Sequence, residues 1–188
     1  IPRFDTENLV HEVIGISKSM DSPQILELGS GSGAIACTLA MEVKKSDVIG
    51  ADISDDALKV CNINKERYKI NNLNFIKSDL FKNVEGIYDI IFSNPPYIKS
   101  DEMSVLQREV KWEPELALDG GVDGLDFYKK IIKESPNHLK YGGYLFFEIG
   151  YDQGLSVKQL LLDGGFNKIE IIKDLQGFDR VIKAVMED

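Results

Sequence analysis

The sequence predicts an α/β fold: a seven-stranded, mainly parallel sheet with helices on both faces and an antiparallel hairpin at its C-terminal end. Three observations predict it. Short apolar runs alternate with segments of helical periodicity over most of the chain, as expected of parallel strands joined by crossover helices. The last two strand-like runs, 167–173 and 180–186, have no helix between them and so should pair antiparallel. The length of 188 residues, with 43% hydrophobic and 28% charged positions, suits one domain, 1–188, with a sizeable core.

The elements follow in order. Residues 7–19 read as a helix with Leu9, Val10, Val13 and Ile14 on one face. Gln24–Leu28 is a strand, and Ala34–Val43 a helix directly after a glycine cluster. Val48–Ala51 is a strand ending at Asp52. Ser54 is a good N-cap for a helix running to about Lys69, with Asp55 and Asp56 near its positive end. Leu73–Lys77 and Tyr88–Ser93 are strands. A long polar stretch runs from Ile98 to about Gly124. Helical spacing returns over Asp126–Leu139, Gly142-Gly143 turns into a strand at Tyr144–Ile149, and 154–163 is a helix ended by Gly164-Gly165.

Composition narrows the function classes. No apolar run reaches the roughly 18–20 residues that span a bilayer, and no basic region followed by an apolar stretch marks a signal peptide. A soluble, cytoplasmic protein, acting as a monomer, is expected. The net charge of −9 argues against a protein that grips nucleic acid by its phosphates, which needs a basic patch. Lys44-Lys45 and Lys129-Lys130 are short and read as solvated faces. Cys37 and Cys61, without CxxC spacing, read as reduced, packed thiols. His11 and His138 are too isolated for a metal cluster, and no metal is expected.

The first chemical signal is Glu27-Leu28-Gly29-Ser30-Gly31-Ser32-Gly33-Ala34, between a strand and a helix. Glycines let the backbone turn sharply and let a ligand approach, beyond the carboxyl ends of the strands. Asp52 ends the next strand, where a carboxylate can accept both hydroxyls of a ribose, with Ile53 beside it. These features fit a dinucleotide enzyme and an S-adenosylmethionine enzyme alike. Glu27 tilts the reading toward the second, since an acid there suits a ligand with a cationic ammonium. Asp79 and Leu80, after the third strand, read either as contacts to an adenine ring or as ordinary loop residues.

Asn94-Pro95-Pro96-Tyr97, at the end of the fourth strand, decides between them. An amide or exocyclic amino nitrogen is a poor nucleophile because its lone pair is delocalised. The Asn94 side-chain oxygen can accept one N–H of such a nitrogen and the Pro95 carbonyl the other, which orients it and offsets developing charge. Consecutive prolines stiffen the backbone that carries these acceptors, and Tyr97 offers a flat face for a planar group. The competing reading is a plain proline turn. A sulfonium methyl donor carries its own leaving group, so the reaction calls for alignment rather than for a metal or covalent nucleophile.

With these residues in hand, the chain resembles the methyltransferase domain of the HemK/PrmC family, peptide chain release factor glutamine methyltransferases. The resemblance rests on IPRFDTENLV at 1–10, ILELGSGSGAIA at 25–36, Asp52, SDLF at 78–81 and DIIFSNPPYI at 89–98. It continues through EVKWEPELALDGGVDGLDFY at 109–128, GGYLFFEIG at 142–150, Gln153-Gly154 and DLQGFDR at 174–180. The stretch 109–128 is the specific part, because most adenine methyltransferases with the same tetrad lack it.

The resemblance implies a Rossmann-like class I S-adenosylmethionine-dependent methyltransferase. The methyl group would go to the side-chain amide of the glutamine in a release factor's Gly-Gly-Gln loop, making the release factor the partner. Cofactor contacts would come from Glu27, Gly29, Ser30, Gly31, Ser32, Gly33, Asp52, Ile53, Asp79, Leu80 and Asn94. The substrate amide would meet Asn94, Pro95, Pro96 and Tyr97, with Asn94, Pro95 and Tyr97 catalytic. Pro2, Arg3 and Glu7 match a segment near the family's active site, so Arg3 and Phe4 are taken as substrate contacts. Phe4 stands where the family usually has proline. The chain starts at Ile1, and the small N-terminal helical domain of the family, which helps bind the release factor, lies outside this sequence. Adenine N6-methylation of DNA or RNA, and a non-catalytic cofactor-binding module, are the alternatives.

Overall fold

A computed structural model describes residues 6–105 and 114–187 of the chain. The helices are α1 (Thr6–Ser19), α2 (Ala34–Glu42), α3 (Asp55–Arg67), α4 (Asp126–Glu134) and α5 (Gly154–Asp163). The strands are β1 (Gln24–Leu28), β2 (Asp47–Asp52), β3 (Leu73–Lys77), β4 (Tyr88–Ser93), β5 (Leu139–Glu148), β6 (Phe166–Lys173) and β7 (Asp179–Met186). They form one seven-stranded sheet of order β3-β2-β1-β4-β5-β7-β6. Pairings from β3 through β5 are parallel, and β7 is antiparallel to both β5 and β6. The predicted class and hairpin are both present. β7 inserts between β5 and β6, a placement the sequence reading leaves open.

Alternate residues of the central strands feed two cores. Leu26 and Leu28 of β1, Ile91 of β4 and Leu145 and Phe147 of β5 pack on one face with Tyr128, Ile131, Val157 and Leu161 of α4 and α5. Ile25, Ile90, Phe92 and Phe146 point the other way, against Leu9 and Val13 of α1 and Ala36 and Leu39 of α2. Burial on both faces leaves no polar side to these strands, which is why they read as apolar runs. α3 starts as predicted, with the Ser54 hydroxyl accepting the Ala57 N–H at 3.2 Å. Among the described residues no helix is long and apolar enough to cross a membrane.

Two boundaries differ from the sequence reading by more than two residues. α4 ends at Glu134, not near Leu139, and residues 135–137 form a 3-10 turn. Pro136 cannot donate to the helical ladder, and the Ser135 hydroxyl donates to the Ile131 carbonyl at 2.5 Å. β5 begins at Leu139 rather than Tyr144, because Leu139 already pairs with Tyr88 before the register shifts between Tyr88 and Ile90. The polar stretch after β4 also carries order: Ile98 and Asp119 form a parallel bridge.

Candidate active site

Leu28 pairs with Ser93, so the glycine loop and the tetrad leave the sheet side by side. The Ser93 hydroxyl donates to the Leu28 carbonyl at 2.7 Å and ties the two exits together. This is also where the strand order reverses direction, the position at which doubly wound sheets open a crevice. A cleft of roughly 200 Å³ lies here, with Glu27, Gly29, Ser30, Gly31 and Ser32 on one wall and Asn94, Pro95, Pro96 and Tyr97 on the other.

The loop is held by its neighbours. The N–H groups of Gly29 and Ser30 donate to the Ala51 carbonyl at 2.8 and 3.1 Å. The Gly31 N–H donates to Asp52 Oδ2 at 2.7 Å, and Asn64 Nδ2 donates to the Ser32 carbonyl at 2.9 Å. Gly29, Gly31 and Gly33 all have positive φ. Gly33 does not line the cleft. It sits at the start of α2, where a Cβ would meet Phe75 at 2.8 Å and Cys61 Sγ at 3.0 Å. Its wall position is taken by Ala34 and Ile35.

Glu27 is 2% exposed, and its Oε2 has no hydrogen-bond partner among the described residues. Burial pushes its carboxyl up to about 8, against lowering by the nearby Ser30 hydroxyl and the Ala36 N–H, and nearby Asp52 raises it further. The Ser30 hydroxyl itself completes no well-formed hydrogen bond among the described residues. A buried carboxyl with an unused acceptor on a cleft wall suits a ligand that brings a cation. Burial also raises the thiols of Cys37, to about 11, and Cys61, to about 12. Both are buried and free, as predicted.

Asp52 lies at the end of β2, one strand over. Its Oδ2 accepts from Gly31 and its Oδ1 accepts the Ser54 N–H at 2.8 Å. Ile53 is 46% exposed beside it. Asp79 and Leu80 follow β3, joined to β2 through the Ser78 N–H on the Asp52 carbonyl at 2.9 Å. These four residues sit along the same end of the sheet but outside the cleft lining. Arg3 and Phe4 lie outside the described residues.

Thr6, Ile98, Ala117 and Leu118 line the cleft too, and sequence reasoning did not select them. Asn94 Nδ2 donates to the Thr6 hydroxyl at 3.5 Å. Thr6 belongs to the opening segment and Ala117-Leu118 to the specific stretch 109–128, so a signal was present in each.

A fold with this cleft defines the chain as a methyltransferase of the Rossmann-like type, and comparison with known proteins agrees. Residues 9–122 match the family model described as the methyltransferase small domain. The release factor glutamine methyltransferase of Fusobacterium nucleatum is 49% identical over 187 residues, covering 98% of this chain and 53% of that protein. The one from Thermodesulfovibrio yellowstonii is 42% identical over 186 residues, covering 97% of this chain and 67% of that protein. Among solved structures, a ribosomal protein L11 methylase from Lactobacillus delbrueckii superposes with a TM-score of 0.71 at 20% identity, covering 99% of this chain and 81% of that one. The chain belongs to the methyltransferase small-domain family and, within it, to the release factor glutamine methyltransferases. It spans about half to two thirds of the length of these relatives.

Proposed function

We propose that this chain is the catalytic domain of an enzyme that moves a methyl group from S-adenosylmethionine to a glutamine side-chain amide in the Gly-Gly-Gln loop of a peptide chain release factor. The observation that carries the reading is the placement of Asn94-Pro95-Pro96-Tyr97 against the glycine loop, with the Asn94 amide nitrogen turned to Thr6. That arrangement leaves Asn94 Oδ1 as an acceptor for a substrate N–H.

The bound cofactor supplies an electrophilic methyl group on a sulfonium. The protein's own residues bind and orient. Glu27 suits the ammonium of the methionine moiety, because its buried Oε2 lacks a partner among the described residues. The turn at Gly29–Ser32 and the first N–H groups of α2 suit its carboxylate. Asp52 is assigned to the ribose, Ile53, Asp79 and Leu80 to the adenine side. Asn94 Oδ1 and the Pro95 carbonyl would accept the two N–H groups of the glutamine amide, orient its nitrogen and offset the positive charge that develops there until one N–H proton is released to solvent. Tyr97 packs on the planar amide. The release factor and the residues that recognise it are part of the same proposal, supported by the relatives' names and by the stretch 109–128.

Mass spectrometry of a release factor incubated with the chain and cofactor tests this. One methyl group on the Gly-Gly-Gln peptide is expected. A methyl group elsewhere, with that peptide unmodified, overturns the assignment of substrate.

A further inference from the structure

Gln153 stands outside the cleft lining, yet its side chain reaches the backbone of both segments that build the substrate wall. It is 5% exposed and directly precedes α5. Its Nε2 donates to the Tyr97 carbonyl at 3.0 Å and to the Gly124 carbonyl at 3.2 Å. Its Oε1 accepts the Gly150 N–H at 3.0 Å, and the Tyr128 hydroxyl, which also reaches the Glu148 carbonyl at 3.0 Å, lies 3.3 Å from it. Both N–H groups of the amide are thus spent on the tetrad and its backing segment, while its oxygen is fixed to the end of β5.

The backing segment lies directly on the tetrad. The Ile98 N–H donates to the Leu118 carbonyl at 3.0 Å, and the Gly120 N–H to the Ile98 carbonyl at 2.8 Å. A Cβ on Gly120 would stand 2.8 Å from the Pro96 oxygen. Pro95 and Pro96 have fixed φ, and a following proline restricts Pro95 further. The main freedom left to the Pro95 carbonyl enters from the Tyr97 side, and that is the end Gln153 holds.

We infer that Gln153 is a positioning residue for methyl transfer, pinning the Tyr97 carbonyl and the 118–124 backbone so that the Pro95 and Asn94 acceptors are aimed before substrate arrives. The inference rests on the function proposed above. It adds a residue that touches neither cofactor nor substrate.

Two variants and two readouts test it. Gln153→Met keeps the volume and removes both donors. Its kcat at saturating release factor is expected to fall at least about tenfold, the scale of a misplaced reacting group, with the dissociation constant for S-adenosylmethionine within about twofold of wild type. Gln153→Glu regains one donor only when its carboxyl is protonated, so its activity relative to wild type is expected to rise as pH is lowered from 9 to 6. A flat ratio, or a Met variant that turns over like wild type, overturns the inference. If Gln153→Met does not fold, the pH profile of Gln153→Glu decides alone. Amide hydrogen exchange at Ile98 and Gly120 is expected to speed up at least about tenfold in Gln153→Glu at pH 9, with β1 unaffected. Unchanged exchange also overturns it. Absence of methyl transfer by the wild type sinks the proposed function instead, and the exchange measurement still decides the part played by Gln153.

Discussion

Asn94 Nδ2 and the Thr6 hydroxyl meet at 3.5 Å across 88 positions of sequence. A side-chain amide can present either end to a ligand, and here its nitrogen faces Thr6. Replacing Asn94 with alanine is expected to lower turnover by at least about 100-fold, the cost of a lost transition-state acceptor, with cofactor binding largely intact. Thr6→Val removes only the partner of Nδ2. It is expected to lower turnover about fivefold, matching a hydrogen bond worth about 1 kcal/mol. Steady-state kinetics beside a cofactor titration checks both, and unchanged turnover in Asn94→Ala makes the tetrad a mere turn.

Glu27 couples pH to stability and to cofactor affinity. Its carboxyl sits at about 8 in the folded chain against an ordinary 4.5. The folded chain therefore holds this proton more tightly than the unfolded one. Stability from this group is complete below about pH 4.5, declines as pH rises toward 8 and levels off above. Glu27→Gln is expected to remove that slope and to raise the melting temperature at pH 8, measured by thermal scans without ligand. Binding of a cation favours the ionised carboxylate, so wild-type affinity for S-adenosylmethionine is expected to rise between pH 6 and 7.5. In Glu27→Gln it should be weaker and flat, as read by calorimetric titration.

Asp52 has two candidate duties: organising the glycine loop through Gly31 and holding a ribose. Asp52→Ala is expected to weaken cofactor binding about 10- to 100-fold, the worth of one hydrogen bond to a charged group. An analogue lacking both ribose hydroxyls separates the duties. It should bind wild type and variant equally if the ribose is the partner, and should lose the full factor in the variant if only the loop depends on Asp52.

Gly50 lies under the loop, and a Cβ there would stand 2.6 Å from the Phe75 ring and 2.7 Å from Ser30 Oγ. Phe75 must shift and the Ser30 turn with it. Gly50→Ala is expected to cost about 1–3 kcal/mol of stability, the usual penalty of overpacking, and to weaken cofactor binding as well. Urea unfolding beside a cofactor titration measures the two effects.

The parts of the molecule visible in the sequence are those whose cause is local. Gln24–Leu28, Leu73–Lys77 and Tyr88–Ser93 appear at their observed bounds; the first and third are buried on both faces and read as apolar runs, while the second is an edge strand with Asn74 and Lys77 exposed. The glycine loop and the tetrad are legible because turns built on positive-φ glycines and on consecutive prolines restrict residue type within a few positions. The sequence predicts α4 too long because helical spacing outlasts the proline that ends it, and β5 too short because the residues that follow Leu139, Lys140 and Tyr141, are exposed. Thr6 and Gln153 owe their places to partners 88 and 56 positions away, so apolar and helical periodicity do not single them out, and only the resembling segments that contain them do.

The central claim is the identity of the nitrogen that Asn94 and Pro95 receive. Transfer of tritium from labelled S-adenosylmethionine, measured on a release factor, on its Gly-Gly-Gln to Gly-Gly-Ala variant and on nucleic acid, tests it most directly. The account expects label on the release factor alone. Equal label on both proteins, or label on nucleic acid with none on the release factor, contradicts it.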